Sequence, residues 1–592
     1  MDGDRQAVRW RTLAGLAAVC VVVIVAAFLP FLDTDAPTES PGEGRSGAAA
    51  SRGPAAVAPA HLPRPASTAA SGAAGGLALV EHAHTMVFAS DSERTAGTAA
   101  LMALYLRAPL VLVPPQAMSS MSPSARASQP AGHASEAAST AAAGGRAEVA
   151  RAARQRGVVR GIVVGDGVED VARDSGARDV VRVAAEPSSG VDARAVIAAA
   201  ADPNAVLGTV GATPETDGSS ASPAMTDLAR YQLPKPPATD TALLVRPRAA
   251  EALDAVASAR AVGHTVLTTR ADDLRTDPQI GVRLADLGAD GTPPRLVLAG
   301  DAFAGADPDA IHTQAAVAMT GVELPGGGQL IFDPRRPAQR RYVGLYGVPH
   351  SPALGALGEQ PVDRSARRAR RIARAYQEVV DDDVDIIPCF EIIATVASAS
   401  RGKDGNFSNE LPVEDLRKAI DAAGEAGIYV LLDLQPGRTD FVTQARRYRS
   451  LLREPHVGLA LDPEWRLGRG ERHLEQIGSV DVDEVNEVSA WLADLVARRR
   501  LPQKMLLLHQ FRLSMLDGRE RLDTSRDELA YVIQMDGQGP QSTKLETWRS
   551  ITADPPDGVQ YGWKNFYDED TPTRSPSDTM ALDPPPVFVS YQ

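Results

Sequence analysis

Between residues 341 and 592, eight short apolar runs recur, each followed by a stretch with helical periodicity, and this alternation constrains the fold more than any other feature of the chain. The runs are 343–347, 386–393, 428–433, 457–462, 505–509, 531–535, 559–563 and 587–590. Helical stretches fall at about 362–380, 412–426, 439–452 and 482–500, with shorter ones near 523–529, 543–551 and 576–581. Short apolar runs alternating with helices are the pattern of parallel sheets, whose two faces are both covered. Eight strands with seven intervening helices predict a (β/α)8 barrel lacking its last helix. Local signals agree. Asp440 and Asp481 stand at N-cap positions, Pro412 fits the first helical position, and Gly424 and Gly427 lie where a helix ends before a strand.

In such a barrel the chemistry sits at the C-terminal ends of the strands. Here those ends are polar. Tyr346 lies near the end of the first strand, Glu391 on the second, Asp433 on the third, and Asp462 with Glu464 on the fourth. His509, Gln510 and Arg512 close the fifth, Asp536 the sixth, and Trp563 with Lys564 the seventh. Period-two alternation in the fourth strand puts Gly458, Ala460, Asp462 and Glu464 on one face and Leu459, Leu461, Pro463 and Trp465 on the other. Small residues and carboxylates thus point into the mouth. Salt-bridged rim residues are the alternative reading of this polarity.

Several carboxylates in one partly dry site cannot all ionise near neutral pH, and a group that keeps its proton is what general acid catalysis requires. Glu464, farthest out on the fourth strand, is the expected acid, with Asp462, Glu391, Asp433 and Asp536 around it. Aromatic faces stack on sugar rings. Trp465, Trp563, Tyr346, His509, Gln510, Arg512 and Lys564 are therefore the expected substrate contacts. Together these features point to glycoside hydrolysis. A barrel that binds glycan without turnover is the other reading. No cofactor and no metal centre are expected, because His473 and His509 are far apart and no H-E-x-x-H or C-x-x-C spacing occurs. The acidic loop 568–570 is the one weak candidate for holding a cation.

The rest of the chain sets the compartment. Residues 13–32 carry no charge over a length that matches a bilayer core, with Arg5, Arg9 and Arg11 before them and Asp33 and Asp35 after. The expectation is a transmembrane helix at 13–32, a cytoplasmic N-terminus at 1–12, and the remainder outside; a cleaved signal peptide is the rival. Residues 33–76 are Pro, Ala, Gly and Ser with few large apolar side chains, a linker composition. A net charge of −14 excludes a general nucleic-acid binder. The only two cysteines, Cys20 and Cys389, lie in different regions, so no disulfide framework is expected. From 77 to 340 strand-like runs at 85–89, 110–113, 161–164, 205–208, 242–245, 265–268 and 295–298 alternate with Ala-rich helical stretches, which predicts about three small parallel α/β units. Residues 116–147 read as a disordered insertion. Gly165-Asp166-Gly167 fails the spacing of a dinucleotide loop, since Asp170 stands where the third glycine belongs.

Three resemblances carry these readings further. Phe88-Ala-Ser-Asp-Ser-Glu93, the stretch from Thr98 to Val113, Ile162-Val-Val-Gly-Asp-Gly167 and Leu296-Val-Leu-Ala-Gly-Asp301 resemble the cell wall-binding repeat of bacterial surface proteins. That likeness implies non-covalent attachment of residues 77–340 to an anionic wall polymer. Gly458-Leu-Ala-Leu-Asp-Pro-Glu464 is similar to the fourth-strand D-G-x-D-x-D-x-E motif of chitinase-type glycosidases, with Val457 and Ala460 in place of its first two aspartates. It implies Glu464 as acid and Asp462 as its orienting neighbour. The region 341–592 as a whole resembles a family of exported actinobacterial proteins that carry cell wall-binding repeats. The resemblance runs through Glu391–Ser398, Leu432–Asp440, His473–Ser479, His509–Leu513, Gly562–Asp570 and Phe588–Gln592. It implies an envelope protein whose partners are wall glycan and, through one helix, the membrane.

Overall fold

The computed structural model describes residues 77, 79–114, 134–183, 237–247, 252–288, 291–303 and 305–592. The segment 13–32, the linker 33–76 and the strand expected at 205–208 lie outside these. Among the described residues no helix is long and apolar enough to cross a membrane. The chain divides into two compact units that meet in sequence between Gly321 and Val322.

The first unit contains two parallel sheets. Strands β1 (Thr85–Ser90), β2 (Leu110–Val113), β3 (Arg160–Val164) and β4 (Asp179–Val183) are ordered β2-β1-β3-β4. Strands β5 (Thr241–Val245), β6 (Thr265–Thr268) and β7 (Arg295–Ala299) are ordered β6-β5-β7. The central strands β1 and β5 are buried almost end to end, as a sheet covered on both faces requires. Part of the expected disordered insertion is helical: Ala134–Gln155 forms one long helix. Its Ala-rich sequence has high helix propensity. Arg146 on it donates to the Pro114 and Gly167 carbonyls and pairs with Asp170 at 2.7 Å, which ties the helix to two loops.

The second unit is a closed parallel barrel. Its eight strands are β8 (Arg340–Gly347), β9 (Asp385–Ala397), β11 (Tyr429–Leu434), β12 (Val457–Leu461), β14 (Lys504–His509), β16 (Leu529–Met535), β17 (Val559–Asn565) and β18 (Phe588–Tyr591). Pairing of β18 with β8, and of β8 with β9, closes the ring. The short β10 (Ser408–Glu410) adds antiparallel to the end of β9, and β13 (Val480–Asp481) pairs with β15 (Leu516–Asp517) outside the barrel. Asp440 and Asp481 cap the helices Phe441–Arg447 and Val482–Arg499 through their carboxylates. Pro412 is the N-cap of helix Val413–Glu425 rather than its first residue. That helix closes at Gly427, whose φ of 65° favours glycine. The helix expected at 523–529 does not form. The Asp523 carboxylate accepts from the Ser525 N–H and hydroxyl, a local turn that competes with helix.

The wall of the barrel alternates strictly. Outward residues such as Val430, Leu432, Leu459, Leu461, Leu506 and Leu508 pack against the helices. Inward residues Tyr342, Cys389, Leu431, Ala460, Leu507, Val532 and Phe588 fill the lower interior. Gly458 is required in this layer, because a Cβ there would lie 2.6 Å from the Tyr429 hydroxyl. Leu324, Ile331 and Phe332 join the same cluster and seal the floor. Gln503 fixes them by accepting from the Ile331 and Phe332 N–H groups. Residues 322–340, which the sequence reading grouped with the α/β region, thus belong to the barrel unit.

Candidate active site

Further along each strand, toward its C-terminal end, the inward positions become polar. Tyr346, Glu391, Asp433, His509, Gln534, Lys564 and Ser590 continue the inward register of the apolar floor, and Asp462 and Asp536 follow the last residues of β12 and β16. All are buried; Glu391, Asp433 and His509 have no exposure at all.

His509 is the hub. Its Nδ1 makes a 2.7 Å hydrogen bond with Asp536 Oδ2. Its Nε2 lies 2.8 Å from Glu391 Oε1 and 3.7 Å from Asp433 Oδ1. Burial disfavours a charge on the imidazole, but Glu391, Asp433, Asp536 and Asp462 together outweigh it and raise the His509 pKa well above its usual value. Asp433 is pushed up to about 6, chiefly by burial and against the pull of His509. Asp462 is also raised well above the carboxylate range, by burial first and, against the pull of His509, by the neighbouring carboxylates. The Tyr346 hydroxyl donates to Asp433 Oδ2 at 2.9 Å and accepts from Gln435 Nε2 at 3.1 Å. Lys564 Nζ lies 3.3 Å from the centroid of the Tyr346 ring, a cation–π contact inside the acidic pocket.

Glu464 stands at the rim. Asp462 caps the short turn Pro463–Trp465 by accepting the Glu464 N–H at 3.2 Å, which fixes the two carboxyl groups in sequence along one edge of the mouth. Glu464 keeps some exposure to solvent. Burial and the facing Asp536 nonetheless push its pKa up to about 7, while Lys564, His509 and Arg512 pull the other way. Near neutral pH it therefore holds a proton part of the time. Trp465 is partly exposed beside it and meets the His473 ring edge to face at 5.4 Å.

The structure brings together all five expected carboxylates, with Tyr346, His509 and Lys564. Three expectations are corrected. Trp563 is fully buried on the outward face, packed on Trp548 at 5.6 Å, because neighbours on one strand point to opposite faces and Lys564 takes the inward one. Gln510 spends its amide on the Leu513 carbonyl and on Arg519, bracing the loop that follows β14. His509, expected as a substrate contact, has no solvent exposure and serves the carboxylates instead. Asp570, in the acidic loop, is spent on buried Lys544 at 2.5 Å and on the Phe566 and Gly539 N–H groups. Sequence reasoning missed Gln435, which links the Ala397 N–H to Tyr346, and the Gln534–Ser590 hydrogen bond of 2.8 Å. Gln534 and Ser590 were detectable by inward register; Gln435 lies beyond the end of β11, where register no longer applies.

One imidazole nitrogen and two carboxylate oxygens come close together in the polar layer. Donor atoms of Asp462, His509 and Asp536 all lie within 4.8 Å of one another. The ligand-spacing motifs did not flag them because they come from three different strands. No family model matches the chain, and no curated protein matches it.

Proposed function

We propose that this chain is a membrane-anchored, extracytoplasmic envelope protein whose barrel hydrolyses glycosidic bonds of a wall polysaccharide, with Glu464 as general acid. The observation that carries the reading is the Asp462–Glu464 pair. Glu464 stands at the open end of the barrel, its N–H held by the Asp462 carboxylate, with a proton affinity suited to neutral pH. Asp462 lies deeper and polarises it. Trp465 beside the pair offers a stacking face for a sugar ring. Glu391, Asp433 and Asp536 supply the negative field that an oxocarbenium-like transition state favours.

The envelope setting rests on the sequence: the uncharged run 13–32 with its preceding arginines, and the strand–helix pattern of 77–340. One observation favours a second reading, a barrel that binds glycan without turnover. Ala460, where the glycosidase motif carries an aspartate, is part of the apolar floor, so the acid has no relay below Asp462 on its own strand. Zymography of the purified chain on cell-wall polysaccharide decides between them. Clearing by the wild type and none by Glu464→Gln is expected; binding without clearing establishes the second reading. Protease added to intact spheroplasts is expected to remove nearly the whole chain, and a protected C-terminus contradicts the assigned orientation.

A further inference from the structure

The polar layer holds one arrangement that acid–base chemistry at Glu464 does not use. Both oxygens of Glu391 are buried and make no hydrogen bond. The same holds for His509 Nε2 and for Asp433 Oδ1. These atoms converge: Nε2 is 2.8 Å from Glu391 Oε1 and 3.7 Å from Asp433 Oδ1. Buried carboxylate oxygens without hydrogen bonds are costly, and in the fully enclosed Glu391 only Oε1 has a close polar neighbour, His509 Nε2, which leaves room for a group that compensates the rest of its charge.

The remaining atoms of the same side chains are spoken for. His509 Nδ1 is bonded to Asp536, and Asp433 Oδ2 accepts from the Tyr346 hydroxyl, which Gln435 holds in turn. An imidazole oriented through one nitrogen by a carboxylate, with the other nitrogen aimed at further carboxylates, is the outer-shell pattern of metal-binding histidines. We propose that the barrel binds one divalent metal cation between Glu391, Asp433 and His509 Nε2, with Asp536 and Tyr346 as the groups that orient the ligands.

Spacing supports this. Nitrogen and oxygen ligands at about 2.0–2.2 Å from one cation stand roughly 3–3.5 Å from each other, and the two separations given above bracket that range. The donor set, one imidazole with carboxylates, suits Zn²⁺ or Mn²⁺ better than Ca²⁺, which takes oxygen only. Charge also fits. Glu391, Asp433, Asp462 and Asp536 are all buried around His509, with Lys564 acting on Asp433 from beside them. Asp462 and Asp536 are also close to His509, Asp536 at the Nδ1 side of the ring. There Nδ1 is already committed to Asp536, so that side orients the ring.

The inference stands apart from the glycosidase reading, because it concerns binding and needs no substrate. The purified full-length chain is dialysed against chelator, then titrated with ZnCl₂ and with MnCl₂ by calorimetry, and its bound metal is counted by mass spectrometry. One equivalent per chain is expected for at least one of the two ions. Glu391→Gln and Asp433→Asn should each weaken binding at least tenfold, and Asp536→Asn roughly 10–100-fold as an outer-shell change. Glu464→Gln should leave binding unchanged, which separates this claim from the function proposed above. X-ray absorption of the Zn²⁺-loaded wild type, which needs no variant to fold, should show a single imidazole among oxygen ligands. No stoichiometric binding by the wild type overturns the proposal. So does binding that Glu391→Gln and Asp433→Asn, shown folded by circular dichroism, leave intact.

Discussion

The lower and upper halves of the barrel interior are built by the same strands in the same register, yet they hold opposite chemistry. At the lower level Tyr342, Cys389, Leu431, Leu507, Val532 and Phe588 face one another in a dry core closed by Ile331 and Phe332. Two residues further on, Glu391, Asp433, His509, Gln534 and Ser590 continue the same inward register, and Tyr346 joins them four residues beyond Tyr342. The difference shows where the fold obtains its stability and where it gives some up. Burying apolar side chains stabilises at roughly 25 cal/mol per Å². Burying the upper set costs free energy unless each group finds a partner. The upper layer meets that cost only in part, since Glu391, Asp433, His509, Gln534 and Asp536 all retain unpartnered atoms.

If the halves divide labour this way, substitutions should separate activity from stability. The largest effect is expected at the rim of the upper half. Glu464→Gln should lower turnover on wall glycan by roughly 10²–10⁴-fold while the melting temperature stays near that of the wild type; unchanged turnover would move the acid to another carboxylate, Glu391 first. In the lower half, Phe588→Ala should cost about 3–5 kcal/mol of stability, read by chemical denaturation. A small cost there would mean that the floor is not the main core.

The next effect is one of pH. Lys504, fully buried at the start of β14, donates to the Glu454 and Val457 carbonyls, and burial lowers its pKa from 10.5 to about 7. The unfolded chain then binds more protons than the folded one between those values, so stability should rise from about pH 7 to 10.5, by up to a few kcal/mol. Glu464 acts in the opposite sense. Its folded pKa is raised, so its contribution is fully present below about pH 4.5 and is lost as pH rises through about 7. Denaturation curves from pH 4 to 10 should therefore flatten in the upper window for Lys504→Met and in the lower window for Glu464→Gln. Curves parallel to wild type in both windows contradict the two assignments. The smallest effect is expected at Trp465. Replacing it by Ala should raise KM for a glycan by roughly 3–10-fold, the worth of one stacking contact, with little change in kcat.

Much of this contrast was legible in the sequence. The eight strands and the carboxylates at their ends follow from alternation and from the rule that barrel chemistry sits at strand termini, both of which are local. What was not legible depends on partners distant in sequence. Trp563 and Lys564 both look like pocket residues until the register of β17 assigns them to opposite faces. Gln510 looked like a ligand contact because nothing local shows Arg519 reaching back to it. The sealing role of Leu324, Ile331 and Phe332 is invisible without the barrel floor they fill. His509 as a hub for carboxylates on three other strands is a property of closure, since Glu391, Asp433 and Asp536 meet it only when the ring is complete.

The central claim is that the upper layer holds a carboxylic acid proton at the mouth near neutral pH. Infrared difference spectroscopy across a pH titration reads this directly and needs no substrate. The account predicts a protonated-carboxyl band in the wild type that disappears with a midpoint near pH 7 and is missing from Glu464→Gln. A Glu464 carboxyl already ionised at pH 5, with the Glu464→Gln spectrum identical to wild type above it, would contradict the account.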